Sequence, residues 1–395
     1  MNPVIVGVIG AGTMGAGIAQ VCLQAGHEVL LHDVDEQAIE RGRGRIADGL
    51  AKLVTKGRLT ADQRSQMLAS LRDAHSIEAM AAEADVVIEA ALEDIDLKNT
   101  IFRALGADAR PTTLLATNTS ALSVSEIGAA SGKPKQVVGL HFFNPAPVMP
   151  LVEVVVGQGT DPLVLDRAMA FATGLGKQAV ACADSPGFIV NRVNRPFTLE
   201  ALRMLDAGEA GVEAIDKAVQ SAGYPMGPFA LMDLVGVDIN LAAATAVWRG
   251  FDEAERFTPS HIQRDLVAAG DLGRKTGQGF YVYEDGRHIR LSDRLPVDAQ
   301  PATGQPATAQ LEPDRIVARI ELAIINEAYH AAGEGVAQPP DIDRAMKLGA
   351  NHPYGPFEHA AHLGLRQVVS GLRELEQEYG ERFRVAPALW QIVSI

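Results

Sequence analysis

The sequence predicts an α/β protein, a doubly wound parallel sheet followed by two all-helical domains. Three observations carry that expectation. A glycine-rich turn joins the first apolar strand to a helix, apolar runs then alternate with helical segments, and the helical remainder contains blocks that recur about 127 residues apart. At 395 residues the chain is too long for one ordinary core, and length alone suggests about two or three domains.

Val4 to Ile9 reads as a short apolar strand, followed at once by Gly10-Ala11-Gly12-Thr13-Met14-Gly15. Ile18, Ala19, Val21, Cys22 and Ala25 then recur at helical spacing up to a stop at Gly26. Strand, G-x-G-x-x-G and helix in that order form a Rossmann-type unit, whose helix N-terminus offers free amide groups to a pyrophosphate. A second strand, Val29 to His32, ends in Asp33. An acid there accepts hydrogen bonds from ribose hydroxyls and repels a 2′-phosphate, so the cofactor expected is NAD rather than NADP. The alternative is a glycine turn in an ordinary βαβ unit.

Asp35 to Leu71 is helical in pattern, broken at Lys56-Gly57-Arg58, with Thr60 as the N-cap of the second arm. Lys52, Lys56 and Arg58 near the tip would suit a phosphorylated substrate, or form a solvated basic turn. Ala84 to Ala90 is the next strand, followed by Glu93 and a helix containing Lys98. Leu114 to Thr117 follows, ending in Asn118-Thr119-Ser120, with a helix from near Ser123. Val137 to His141 completes the row, and strands alternating with helices say doubly wound sheet. Asp184-Ser185-Pro186-Gly187 ends this domain, which spans residues 1–185.

The first helical domain is expected over 186–283, with helices from Phe188 to Ala207 and Gly211 to Ala222 and a rigid turn at Tyr224-Pro225-Met226-Gly227-Pro228. Residues 284–312 lack periodicity and read as a linker, and 313–395 as a second helical domain. Ile342-Asp343-Arg344-Ala345 mirrors Ile215-Asp216-Lys217-Ala218, and His352-Pro353-Tyr354-Gly355-Pro356-Phe357 mirrors Tyr224 to Phe229. That is a duplication. The second copy has Ala318 where the first has Asn191, so it is expected to pack and to do no chemistry.

The chemistry centres on His141-Phe142-Phe143-Asn144-Pro145 and Leu151-Val152-Glu153-Val154-Val155-Val156. A carboxylate in an apolar strand needs a buried partner, and His141 is the nearest candidate across the turn. A His whose other ring nitrogen is held by a carboxylate is a fixed tautomer that takes a proton from a hydroxyl. The same spacing reads equally as a loop-capping His and a Glu paired with a surface Arg.

Composition narrows the classes. A hydrophobic share of 47% with 21% charged residues is that of a soluble globular protein. No apolar run approaches the ~18 residues of a membrane span, and the N-terminus lacks a basic leader. Two cysteines, Cys22 and Cys182, make no disulfide framework, which fits a cytoplasmic location. Net charge of −14 argues against non-specific nucleic-acid binding. No residue is assigned to a metal.

Taken together, Asn118-Thr119-Ser120, His141 to Pro145, Leu151 to Val154, Asp184 to Arg192 and Tyr224 to Pro228 resemble the 3-hydroxyacyl-CoA dehydrogenase family, in its order and spacing. The resemblance implies NAD-dependent reversible oxidation of a (3S)-3-hydroxyacyl-CoA to the 3-ketoacyl-CoA, as in fatty acid β-oxidation or a related CoA-thioester pathway. It implies a catalytic pair of His141 and Glu153, with Ser120, Asn144 and Asn191 around the reacting oxygen. Cofactor contacts are implied for Gly10, Gly12, Thr13, Met14, Gly15, Asp33, Glu93, Lys98 and Asn118, and CoA contacts for Lys52 and Lys56. Single-copy relatives dimerise through the helical domain, so an intrachain pseudo-dimer of the two copies is expected, with homo-oligomers possible. Two rivals share the glycine turn: an NAD-dependent dehydrogenase of a free 3-hydroxy acid such as a sugar acid, and a non-catalytic NAD-binding protein.

Overall fold

The computed structural model describes residues 3–295 and 311–394, which fall into two units, Met1–Phe188 and Ile189–Ile395. The first unit runs β1 (Ile5–Ile9), α1 (Thr13–Gln24), β2 (Glu28–His32), α2 (Glu36–Thr55), α3 (Ala61–Ala69), β3 (Leu71–Asp73), α4 (Ile77–Glu83) and β4 (Val86–Glu89). It continues with α5 (Ile95–Asp108), β5 (Leu114–Thr117), α6 (Val124–Ala130), β6 (Val137–Phe142), β7 (Leu151–Val156), α7 (Pro162–Gly174) and β8 (Gln178–Ala183). All eight strands form one sheet in the order β3-β2-β1-β4-β5-β6-β7-β8. The order reverses at β1, which pairs in parallel with both β2 and β4, and such a switch point opens a crevice at the strands' carboxyl ends.

The sheet is parallel from β3 to β6 and then changes sense. β7 enters antiparallel to β6, and β8 runs parallel to β7. The central strands are buried on both sides, with Val6, Val8, Val29, Leu31, Ile88 and Val154 packed against Ile18, Cys22 and Phe171 of the covering helices. One element departs from the broken helical pattern expected over Asp35 to Leu71. β3 is a three-residue edge strand with Arg72 and Asp73 exposed, too short to show a period of two. Thr60 does cap α3, through a capping box with Gln63.

The second unit holds α8 (Val190–Val193), α9 (Arg195–Asp206), α10 (Val212–Ser221), α11 (Pro228–Val235), α12 (Val237–Gly250), α13 (His261–Ala268) and the hairpin β9 (Tyr281–Glu284) and β10 (Arg287–Leu291). Then come α14 (Pro313–Gly333), α15 (Pro339–Gly349), α16 (Pro356–Leu363), α17 (Leu365–Tyr379) and α18 (Pro387–Val393). The expected linker over 284–312 is corrected at its start, where Arg287–Leu291 pairs with β9. That strand is charged and exposed on both faces, which hid it from a hydrophobicity pattern. Residues 296–310 of the expected linker lie outside the described residues. The expected helix from Phe188 to Ala207 is broken at Asn194.

The duplication is structural as well as sequential. Asp216 accepts hydrogen bonds from Phe229 N (2.9 Å) and Ala230 N (3.0 Å), and so caps α11 from a different helix. Asp343 does the same for α16, through Phe357 N (2.8 Å) and Glu358 N (3.1 Å). Glycine precedes each capped helix for a reason: a Cβ at Gly227 or Gly355 would stand within 2.4 Å of that Asp. The spacing is 127 residues from Asp216 to Asp343 but 128 from Gly227 to Gly355, so the second copy carries one extra residue between these blocks.

The copies meet through reciprocal ion pairs. Arg192 Nε lies 2.7 Å from Glu327 Oε1, and Arg319 Nε lies 2.8 Å from Glu200 Oε2. Each carboxylate has a second arginine, Arg256 at 2.9 Å for Glu327 and Arg382 at 3.4 Å for Glu200. Arg256 also stacks over Phe257, and Arg382 over Phe383. Residue i of one copy thus meets j of the other while j's counterpart meets i's, the signature of an isologous interface folded within one chain. Burial would raise the Glu200 carboxyl, but Arg203, Arg319 and Arg382 outweigh it and hold it below the ordinary range.

Near this pseudo-two-fold, Tyr224 and His352, themselves counterparts, meet edge to face at 5.1 Å. His352 Nε2 lies 2.8 Å from Asn194 Oδ1. Burial pushes the imidazole down from 6.5 to about 3, so the folded chain keeps it neutral where the unfolded chain protonates. The unfolded state then binds the extra proton, and this stability is present above pH 6.5 and lost as pH falls toward 3, at up to ~1.4 kcal/mol per pH unit. His352→Tyr is expected to flatten the fall of the urea midpoint between pH 6.5 and 4.5. Parallel slopes for the two proteins would remove His352 from the acid response.

Candidate active site

The hairpin of β6 and β7 sets His141 directly opposite Glu153 in the antiparallel register. Residues opposite one another in such a pair point to the same face, so the two side chains must meet. His141 Nδ1 stands 2.6 Å from Glu153 Oε2, with the His 6% exposed and the Glu fully buried. A carboxylate at that distance accepts a hydrogen bond from Nδ1–H, which keeps the proton on Nδ1 and leaves Nε2 as the basic nitrogen. Phe143 and Phe188 pack against the imidazole, at centroid distances of 4.5 and 5.8 Å. The arrangement makes a positioned general base.

The glycine turn fits a dinucleotide. Gly10 has φ +97°, and a Cβ there would meet the Ala90 carbonyl at 2.6 Å. A Cβ on Gly15 would strike the Gly10 carbonyl, so α1 can approach the turn only with glycine at this position. Gly12 faces open space, and no side chain caps α1, so its terminal amides are available for a pyrophosphate. Thr13 and Met14 lie in that first turn, the former exposed and the latter half-buried. Asp33, half-buried at the end of β2, accepts from Ala11 N at 2.8 Å and from Asp35 N at 3.2 Å. It braces the glycine turn while its position suits a ribose.

The remaining cofactor-side residues divide into those near the surface and those that hold the frame. Lys98 is 1% exposed and donates to Glu89 Oε1 at 2.6 Å, with Glu93 Oε2 at 3.4 Å. Its ammonium thus joins Glu89 to Glu93, another of the residues expected on the cofactor side. Glu93 Oε1 accepts from Thr119 Oγ1 (2.6 Å), Ser120 N (2.8 Å), Ser120 Oγ (3.2 Å) and Ala121 N (3.2 Å). Burial raises this carboxyl, yet Lys98 and these donors outweigh it and hold it below the ordinary range. Glu93 anchors the loop carrying Ser120. Asn118 Oδ1 accepts from Phe142 N at 2.9 Å, tying that loop to the strand that carries His141.

The remaining expected residues lie on three other segments. Asn144 is exposed in the turn between β6 and β7, before a cis Asn144–Pro145 bond. Lys52 and Lys56 are exposed at the last turn and cap of α2. Asn191 belongs to the second unit, on α8, where its carbonyl accepts from Arg195 Nε at 3.3 Å. Two residues escaped sequence reasoning. Glu89 is fully buried and takes Lys98, Thr117 Oγ1 and Ala91 N. Asp184 caps α6 by accepting from Ser125 N at 2.7 Å, Ser123 Oγ at 2.9 Å and Val124 N at 3.1 Å. An acid closing an otherwise apolar strand was the available signal for Glu89. Among the described residues no group of acidic, His and Cys side chains is arranged to hold a metal.

Comparison with known proteins places this geometry. The NAD binding domain of 3-hydroxyacyl-CoA dehydrogenase matches residues 5–185, and the C-terminal domain of 3-hydroxyacyl-CoA dehydrogenase matches twice, at 187–283 and 316–395. The chain is 38% identical to 3-hydroxyadipyl-CoA dehydrogenase of Escherichia coli, over 99% of this chain and 98% of that one. It is 43% identical to 3-hydroxybutyryl-CoA dehydrogenase of Mycobacterium tuberculosis, over 70% of this chain and 98% of the relative. A crystal structure of 3-hydroxybutyryl-CoA dehydrogenase from Escherichia coli superposes with a TM-score of 0.90 at 37% identity, covering 100% of this chain and 99% of that one.

Proposed function

The chain belongs to the 3-hydroxyacyl-CoA dehydrogenase family and is an NAD-dependent enzyme of that class, and from that premise we propose how its own residues carry the reaction. The observation that supports the reading is the buried 2.6 Å contact between His141 and Glu153 at the carboxyl end of a dinucleotide-binding sheet. His141 Nε2 takes the proton of the substrate's 3-hydroxyl as the C3–H bond breaks and the C3–O bond becomes a carbonyl. Glu153 holds the ring and stabilises the imidazolium that forms. NAD, when bound, supplies the hydride acceptor.

Gly12 and the first amides of α1 would hold the pyrophosphate, and Asp33 the adenosine ribose. Ser120 and Asn191 donate to the substrate oxygen, where neutral donors stabilise developing charge without adding a cation beside His141. Glu93 keeps Ser120 in place. Lys52 and Lys56 meet the phosphates of CoA.

The experiment is a steady-state comparison on one enzyme preparation. Oxidation of (3S)-3-hydroxybutyryl-CoA with NAD is expected to proceed well above the rate with free 3-hydroxybutyrate, and well above the rate with NADP. Asp33→Ala is expected to narrow the NAD preference by about 10-fold or more, through a weaker hold on NAD and removal of repulsion toward NADP. Equal efficiency of the parent enzyme with both cofactors would take Asp33 out of this role.

A further inference from the structure

Strand order says what lies beneath the reactive end of the cofactor. The glycine turn follows β1, His141 lies near the end of β6, and β4 and β5 are the strands between them. Neighbouring strands lie about 4.8 Å apart, so roughly 14 Å separates the turn from the base. Hydride and proton leave adjacent atoms of the substrate. A dinucleotide held at the turn therefore has to cross the carboxyl ends of β4 and β5 to serve His141.

That floor carries charge. Glu89, the last residue of β4, is fully buried. Its Oε1 accepts from Lys98 Nζ at 2.6 Å and from Ala91 N at 2.7 Å, and its Oε2 from Thr117 Oγ1 at 2.7 Å. Lys98 thus has its nearest carboxylate in Glu89, while Glu93 Oε2 lies at 3.4 Å with its side chain 39% exposed. The floor also touches the glycine turn: Ala90 N donates to the Ile9 carbonyl at 2.7 Å, and the Ala90 carbonyl is what bars a Cβ from Gly10. Two carboxylates share one ammonium, so the three groups carry an excess of one negative charge. Glu93 alone could pair with Lys98. A second, wholly buried carboxylate costs desolvation, and its effect is to neutralise Lys98 and leave the charge of Glu93 uncancelled.

We propose that Glu89 sets which redox state of the cofactor the enzyme holds more tightly, because the net negative floor favours the cationic nicotinamide of NAD over the neutral one of NADH. The proposal rests on the reading of His141 as the base, which fixes where the nicotinamide has to end. In the reductive direction hydride passes from NADH to C3 of the ketone while His141 returns a proton to the oxygen. Positive charge then develops on the nicotinamide ring, and the floor stabilises it. A unit charge acting over roughly 10 Å at an effective dielectric constant near 20 changes a binding constant about 10-fold. The contacts also show which substitution isolates that charge. In Glu89→Gln the amide carbonyl replaces Oε1 as acceptor for Lys98 and Ala91 N, and the NH2 replaces Oε2 and donates to the Thr117 hydroxyl oxygen. Shape and hydrogen bonds are kept, and one charge is removed.

The test titrates the substrate-free enzyme with NAD and with NADH by calorimetry. Glu89→Gln is expected to raise the ratio of the Kd for NAD to the Kd for NADH about 10-fold. Lys98→Met, which removes the cation and keeps both carboxylates, is expected to lower that ratio. Thr117→Val unties Glu89 Oε2 and leaves every charge in place, so its ratio is expected within about twofold of wild type. An unchanged ratio in Glu89→Gln, an unchanged or raised ratio in Lys98→Met, or a shift in Thr117→Val equal to that of Glu89→Gln would overturn the proposal. Melting temperatures report folding, and if Glu89→Gln does not fold, the sign of the shift in Lys98→Met decides. No substrate enters these titrations, so turnover of His141→Ala tests the catalytic reading separately. Normal turnover there, with the ratio shifted as above, would remove His141 as the base and keep the charge effect of Glu89.

Discussion

His141→Ala is expected to lower kcat for 3-hydroxyacyl-CoA oxidation by roughly 100-fold or more, the usual scale for loss of a general base. The dissociation constant for NADH should stay within a factor of two or so, because the glycine turn and Asp33 are untouched. Glu153→Gln tests the other half of the pair. A glutamine offers its carbonyl or its amide to Nδ1, and in the second case the ring turns its proton toward Nε2, leaving no base for the substrate. Its kcat should fall with little change in KM. Near-normal turnover of His141→Ala at saturating substrate would end this mechanism.

Glu327→Ala is expected to cost about 2–3 kcal/mol of unfolding free energy, below the ~3–5 kcal/mol of a buried charge left wholly unpaired, because Arg192 and Arg256 lose their shared carboxylate while Arg192 keeps Glu334. Urea unfolding followed by far-ultraviolet circular dichroism would measure it, and a loss under ~1 kcal/mol, the scale of a surface pair, would remove the pair from the interface energetics. Removing everything after Leu295 asks the same question on a larger scale. The first copy keeps both Arg192 and Glu200, so two truncated chains satisfy one another by the pairing that Arg192 with Glu327 and Arg319 with Glu200 make within the intact chain. Such a fragment is expected to dimerise, or to aggregate through its exposed face. A truncated form that light scattering finds monomeric and well behaved would rule this out. One NADH per intact chain is expected, since the first unit carries a single glycine turn.

What the sequence disclosed was local. Gly10, Gly12 and Gly15 announce a dinucleotide turn within six residues, and the hairpin turn at Asn144-Pro145 brings His141 and Glu153 close along the chain. Pairings that need the tertiary fold stayed hidden. Glu89 and Lys98 read as a strand end and a helix residue, and their mutual burial follows only from how α5 lies on the sheet. The sequence placed Lys98 beside the cofactor but did not disclose that Glu89 and Glu93 hold its charge. β10 was missed because exposed, charged strands have no hydrophobic period. The Arg192 and Glu327 contact spans 135 residues, yet a clue was present: Arg192 and Glu200 recur as Arg319 and Glu327 at the same separation. A duplicated charge spacing inside duplicated apolar helices marks groups that complete one another across a two-fold relation.

Joining the two copies in one chain changes how their association responds to dilution. Separate subunits must meet, and their folded population depends on how many are present. Here the partner is always attached, at an effective concentration typically near millimolar for a tethered module, so the midpoint of unfolding should not move as the protein is diluted. The tether also releases each half from having to be identical to the other. A mutation in a symmetric dimer appears twice and must be tolerated in both places, whereas here the halves differ position by position, with Asn191 and Arg195 in the first copy and Ala318 and Leu322 at the matching places in the second.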